Sequence, residues 1–149
     1  MDEELRAKIL EVLGRQYLMT VATIRPDGYP QATTVNYTHD DDFTLYFAAD
    51  AASQKAGNLA LNNKVSVAIV DRAENFYKLR GLSMSGTASR VHAAPAAEAI
   101  VLRLFRAKPQ SRRFVPQDPD SLAVYAITPV AIALIDYASG FGTTHLLEF

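Results

Sequence analysis

Apolar residues recur along this chain with two periods, and each switch of period marks a new element. Leu5, Ile9, Val12 and Leu13 follow three- and four-residue steps, the stripe of an amphipathic helix. Asp2, Glu3 and Glu4 suit the positive end of its dipole, and Gly14 offers a stop. QYLMTVATIR is rich in β-branched and aromatic residues and breaks at the turn Pro26-Asp27-Gly28. A second strand follows from Pro30 to Thr38, the acidic run Asp40-Asp41-Asp42 turns the chain, and FTLYFA makes a third. Three short strands joined by tight turns predict an antiparallel meander.

Ser53 is placed to N-cap a short helix carrying Ala56, Leu59 and Ala60, which Asn62-Asn63 ends. Val65 to Val70 predicts a strand buried on both faces. A bent strand or a strand pair is expected from Phe76 to Val91, with Gly81 and Gly86 at the bends. Pro95 opens a second amphipathic helix with Ile100, Val101, Leu104 and Phe105 apolar and Arg103 and Arg106 polar, and Pro109 ends it. A connection from Pro116 to Pro119 leads to a strand over Leu122 to Tyr137; Gly140 and Gly142 then turn the chain into THLLEF. The order predicts a mainly β fold with flanking helices, a closed or partly closed antiparallel barrel of six or seven strands. No repeat, low-complexity tract or linker interrupts it, so residues 1–149 read as one domain.

Composition narrows the chemistry. Fifteen Lys and Arg against sixteen Asp and Glu leave no excess of positive charge for whole-surface nucleic-acid binding. The absence of cysteine excludes disulfides, thiolate nucleophiles, Fe–S clusters and Cys-ligated zinc. The start MDEELRAKIL lacks the basic and apolar regions of a signal peptide, and no apolar run reaches the length of a membrane span. A cytoplasmic location without membrane association is the expectation. His39, His92 and His145 stand far apart, without metal-ligand spacing or an accompanying carboxylate cluster, and read as surface or structural residues. No metal site and no catalytic residue is assigned. G-x-S-x-G, Walker and G-x-G-x-x-G motifs are all missing. Asp40-Asp41-Asp42 lacks calcium-loop spacing and reads as a solvated turn.

The informative stretch is residues 46 to 70, YFAADAASQKAGNLALNNKVSVAIV. A strand ends, small residues (Ala48, Ala49, Ala51, Ala52) follow, and a helix starts with Ser53 and Lys55 in its first turn. A helix start offers free N–H groups and partial positive charge, and a hydroxyl and an ammonium beside it suit a phosphate. A capped surface helix with a solvated lysine would read the same way. A basic run, RLFRAKPQSRR at 103 to 113, is either a solvated helix face or an anion-docking site.

The order of these motifs resembles the FMN-binding split-barrel family of pyridoxamine 5′-phosphate oxidase. LMTVATIRPDGYPQATTVNY is similar to its strand, Asp-Gly-x-Pro turn and second strand; LYFAADAASQKAGNL to its aromatic strand end and Ser-x-Lys helix start; NNKVSVAIV to its Asn-x-x-Val-Ser-Val strand. LSMSGTASRV and ITPVAIALIDYASGFG resemble its glycine-centred strand and its closing strand with a Gly-Phe-Gly turn. The resemblance implies a split β-barrel homodimer holding FMN. It lays the flavin ring along Gln31 to Asn36, with backbone groups of Thr33, Thr34 and Val35 at the pyrimidine edge. It places Phe47 and Ala48 by the ribityl chain, and Ser53, Gln54 and Lys55 at the phosphate, with Gln54 in place of an arginine. Asn36 stands where the oxidase has a lysine. Tyr137, Phe141 and Gly142 are candidates to close the partner's site. The chain has no tryptophan and lacks the oxidase's Trp- and Arg-containing end, so oxidation of vitamin B6 is not expected. An FMN-dependent oxidoreductase, with a nicotinamide or another small molecule as substrate, is the implied function. The alternatives on the same fold are an F420-dependent reductase, whose tailed cofactor would give the basic run a purpose, and a flavin-binding sensor or carrier without turnover.

Overall fold

The computed structural model describes residues 2–72, 75–114 and 118–149. Helix α1 (Glu3–Arg15) is capped by the Asp2 carboxylate, which accepts from the N–H groups of Glu4 and Leu5 at 3.0 and 3.3 Å. It runs one residue beyond Gly14, which therefore does not stop it. Strands β1 (Leu18–Ile24), β2 (Pro30–Asn36), β3 (Thr38–His39) and β4 (Leu45–Asp50) precede helix α2 (Gln54–Leu61). Strands β5 (Lys64–Asp71) and β6 (Arg80–Arg90), helix α3 (Ala94–Ala107) and strands β7 (Leu122–Asp136) and β8 (Thr144–Glu148) complete the fold. The expected bent strand or strand pair is a single strand, β6, preceded by a 3₁₀ turn at Phe76–Lys78. Of the Pro116–Pro119 connection, the first two residues lie outside the described residues, and Pro119 opens a 3₁₀ turn into β7.

All pairings are antiparallel, in the order β2-β1-β5-β6-β7-β4-β3, with β8 on β7. β4 takes Leu122 to Ile127 of β7 and β8 takes Ala131 to Ile135, so one long strand serves two neighbours on one side. The two ends of the ladder, β2 and β3, are one stretch of chain bent at Tyr37. Its first part pairs β1 and its last part pairs β4. The bend turns the sheet into the expected partly closed barrel of seven strands.

Alternation fills the interior. Met19 and Val21 of β1, Leu45 and Phe47 of β4 and Met84 of β6 point inward and are nearly inaccessible, and α1 closes one end with Ile9, Val12 and Leu13. β5 alternates strictly too, so it is not buried on both faces. Ser66, Ala68 and Val70 point outward, and Val70 is 54 % exposed. The register then aligns small residues into rows across the outer face. One row runs Thr34, Thr20, Ala68, Ser83, Ala133 and Leu146, and the next Ala32, Ala22, Ser66, Ser85, Ala131 and Glu148.

Helix α3 covers the outside of β4 and β7 through Ile100, Leu104 and Val124, with Tyr46 and Ala48 against them. Asp40 fixes it there and is not a free turn residue. Its carboxylate takes Arg103 at 2.9 Å and the Tyr46 hydroxyl at 2.7 Å, while Arg103 also donates to the His39 carbonyl.

Two outcomes follow from this packing. A Cβ on Gly86 would stand 2.7 Å from Ile127 Cγ2 and 2.8 Å from the Thr128 carbonyl oxygen, at the bulge in the β6–β7 ladder. Gly86→Ala is expected to cost about 1–3 kcal/mol, read as a lower urea midpoint. Burial, and then the bond to Asp40, pushes the Tyr46 hydroxyl up to about 12 from 10.0. The folded chain keeps this proton where the unfolded chain loses it, so this contribution is whole below pH 10 and fades between pH 10 and about 12. Urea midpoints of Tyr46→Phe across that window should fall less steeply than those of the parent.

Candidate functional site

The start of α2 is built by its own sequence. Ser53 is extended at φ −68° and ψ 157°, and its Oγ accepts the Ala56 N–H at 3.2 Å. The loop before it is tied by Ala52 N–H to the Asp50 carboxylate at 2.8 Å and by Ala51 N–H to the Ser121 carbonyl at 2.8 Å. Within the described residues the backbone N–H groups of Gln54 and Lys55 have no partner, as the first turn of a helix requires. Lys55 is half-buried and makes no ion pair among the described residues. Burial alone lowers its pKa from the ordinary lysine value. An ammonium partly stripped of water and two free amides form a cationic spot.

Strand β2 stands beside it. The register puts Gln31, Thr33 and Val35 on the face of Thr23, Val21 and Met19, which is the inside, and Thr34 on the outer face. β2 pairs only with β1, so alternate residues turn backbone N–H and C=O groups to an open edge. The Thr33 Oγ1 is buried and has no hydrogen-bond partner among the described residues.

Asn58 joins the helix to both strands. It is fully buried, its Nδ2 donates to Thr23 Oγ1 at 3.0 Å and to Gln31 Oε1 at 3.1 Å, and its Oδ1 accepts from Gln54 Nε2 at 2.9 Å. Sequence reasoning did not single out Asn58 or Thr23. The signal was the i, i+4 spacing of Gln54 and Asn58 on one helix face.

Gln31, Ser53, Gln54 and Lys55 are therefore brought together, with Thr33 to Asn36 continuing along β2. Phe47 is wholly buried with its ring stacked on Tyr125 at 5.2 Å, so only its backbone remains for a ligand. Ala48 packs toward α3. Tyr137 and Phe141 lie elsewhere: Tyr137 sits between Phe76 at 5.1 Å and Phe141 at 5.3 Å, and Phe141 is 85 % exposed. Asp50, beside the α2 start, pairs with Leu122 at one end of β7, whereas Tyr137 follows its other end. A strand of that length spans up to roughly 45 Å. One chain does not bring these aromatics to its own α2.

Other polar clusters have structural partners. Buried Asp71 pairs with Arg80 at 2.7 Å and accepts from Gln16 at 2.9 Å, tying β5 and β6 to the exit of α1. In the basic run Arg103 is held by Asp40, Lys108 lies 4.0 Å from the centre of the Tyr17 ring, and Arg112 lies over Phe105 at 5.0 Å. Among the described residues no three His, Asp or Glu side chains are grouped to hold a metal ion. No helix among them is long and apolar enough to cross a membrane. A cleft of about 600 Å³ under α3, between Arg90, His92, Val101 and Leu122, contains none of the expected site residues. A second, of about 480 Å³, lies on the outer face over Tyr17, Leu18, Thr20 and Thr34, next to β2. Chemistry and strand position, rather than cavity size, identify the α2–β2 region.

The family model for pyridoxamine 5′-phosphate oxidase matches residues 5–136. The chain belongs to that family. Members and other solved structures share its fold. A conserved hypothetical protein from Mycobacterium tuberculosis is 25% identical with a TM-score of 0.77, over 96% of this chain and 91% of that one. A putative pyridoxamine 5′-phosphate oxidase from Listeria innocua is 24% identical with a TM-score of 0.71, over 88% and 98%. A heme binding protein from Mycobacterium smegmatis is 17% identical with a TM-score of 0.78, over 96% of this chain but only 57% of that one. No curated protein sequence matches the chain. The pyridoxamine 5′-phosphate oxidase fold is thus shared by proteins of different ligands, and the ligand has to be argued from the site.

The desolvation at Lys55 gives the site a measurable signature. Titration of its ε-protons by NMR should give a pKa below 10.5 in the ligand-free protein, and a bound phosphate should raise it.

Proposed function

We propose that this chain binds FMN and works as a flavin-dependent oxidoreductase. The observation that carries the reading is the α2 start, with Lys55 and two free amides, held beside the open edge of β2. A phosphate is a dianion with acceptor oxygens and suits the first element; the flavin pyrimidine edge alternates donors and acceptors and suits the second. Family membership supports the same assignment. Lys55 and the amides of Gln54 and Lys55 would hold the phosphate, and backbone groups of Thr33, Thr34 and Val35 would hold the ring edge. Bound FMN would supply hydride exchange at its N5, so the chain needs no acid–base residue of its own. Its residues orient the ring and keep one face open to a reductant.

The site is completed by a second copy. The rows are Ala, Ser and Thr but for their ends on β8, exposed Leu146 (58 %) and the one charged residue Glu148, and Leu18 (45 %) and Val70 (54 %) flank them exposed. Such a face suits close packing against its own two-fold mate. Thr34 ends one row, so the β2 site would stand at the rim of that contact, where the partner's Tyr137 and Phe141 would close it.

The test is to purify the chain without added cofactor and titrate it with FMN, F420 and hemin. FMN uptake with flavin bands, followed by bleaching with NADPH or reduced F420, supports the reading. Uptake of F420 alone, or of hemin alone with a Soret band, replaces it; FMN uptake without turnover leaves a carrier or sensor. Lys55→Met should weaken FMN by roughly tenfold to a hundredfold, the worth of a charge-assisted bond. Ala68→Glu should turn a dimer into a monomer by light scattering, and an unchanged mass would place the contact elsewhere.

A further inference from the structure

We infer that Asn58 is the positioning residue of this site, fixing the phosphate-holding start of α2 at a set distance from the ring-holding edge of β2; this rests on the FMN reading above. Asn58 is inaccessible in the middle of an eight-residue helix, where a leucine would fill the space without burying an amide. Its carboxamide is instead used on three sides, toward β1 through Thr23, toward β2 through Gln31, and toward the first turn of its own helix through Gln54. An asparagine has two donors and one acceptor oxygen, and all three groups are engaged. Among the described residues no other side chain hydrogen-bonds α2 to β1 and β2 together.

The network also gives a second role to two residues that the family resemblance places on the cofactor. Gln31 Oε1 and Gln54 Nε2 are bonded to Asn58, so on this inference both act as struts. Lys55 is then the one side-chain cation at the α2 start. A grip with one cation and two amides depends on alignment more than a grip with two cations, since an amide dipole falls off faster with displacement than a charge. The precision that Asn58 supplies stands in for the positive charge absent at Gln54.

The test compares FMN with riboflavin, which has the same ring and no phosphate. If Asn58 only stabilises the fold, its loss weakens both ligands alike. If it sets the phosphate grip against the ring strand, its loss weakens FMN alone. For Asn58→Leu the ratio of FMN to riboflavin affinity is expected to fall by about tenfold with riboflavin binding unchanged. Gln54→Met and Gln31→Met, each cutting one strut at a less buried position, should give smaller falls in the same ratio and serve where Asn58→Leu does not fold. A ratio equal to that of the parent in folded variants overturns the inference. Should the parent bind neither flavin, the functional reading fails separately. Amide exchange in the ligand-free chain then decides the positioning role. Ala56 and Gly57, which close the first turn on Ser53, should exchange faster in Gln31→Met and Gln54→Met, and unchanged protection overturns it.

Discussion

The bend at Tyr37 is the constraint on which the other parts of this structure depend. An antiparallel sheet that is not closed leaves two edges, and here both edges are made of the same ten-residue stretch, Pro30 to His39. Tyr37 allows the stretch to leave β1 and join β4. Its N–H donates to the Tyr17 carbonyl at 2.9 Å and its hydroxyl to the Leu13 carbonyl at 2.8 Å, so both of its donors are satisfied inside. Burial raises the pKa of that hydroxyl above an ordinary tyrosine's, which favours its protonated, donating form. The bond also anchors the barrel seam to the end of α1, whose apolar face plugs the interior. Closure and plugging are therefore one event. The part of β2 that pairs with β1 alone is left with an open edge because its continuation has gone to β4.

That open edge explains why α2 matters. The helix lies where the barrel is split, and a helix dropped into a gap between strands needs a polar join, since β2 has no backbone partner to offer on that side. Asn58 makes the join with side chains, and it does so from inside, while the first-turn amides of Gln54 and Lys55 are left without a partner among the described residues. The same geometry that satisfies the interior thus produces an anion-attracting spot beside a row of free strand groups. On the proposed reading, binding capacity would arise from how the barrel is closed and not from an added loop.

Most of the fold was legible because its elements bury one face each. Leu5, Ile9, Val12 and Leu13 are spaced for a helix and all four are buried; Ser53 caps α2 through its hydroxyl as its position suggests. β5 misled because the outward residues Ala68 and Val70 are apolar, so its composition reads like that of a strand buried on both faces. Asp40 misled for the opposite reason: three aspartates in a row read as solvent-facing, yet the first meets Arg103, 63 residues later, which no local pattern encodes. Ser53 and Lys55 announce a helix start, but the bonds of Gln31 and Gln54 to Asn58 were not legible, because Asn58 sits in an unremarkable run of helix residues and acts only through the tertiary fold.

A heme binding protein shares this fold, so the fold alone does not fix the ligand. An open strand edge reads any planar ligand with polar atoms along one side, and a face of alanine, serine and threonine accepts many partners in close approach. Neither discriminates strongly. Discrimination has to come from the charged point at the end of the strand, where a change of one side chain alters which tail is held. In this chain that point carries Lys55 with a neutral residue beside it, a weaker electrostatic demand than two cations would make. On the proposed reading such a site would select by the placement of its few donors, which would tie ligand choice to the rigidity of α2. Selectivity and internal packing would then be the same physical property, measured once at Asn58 and once at the ligand.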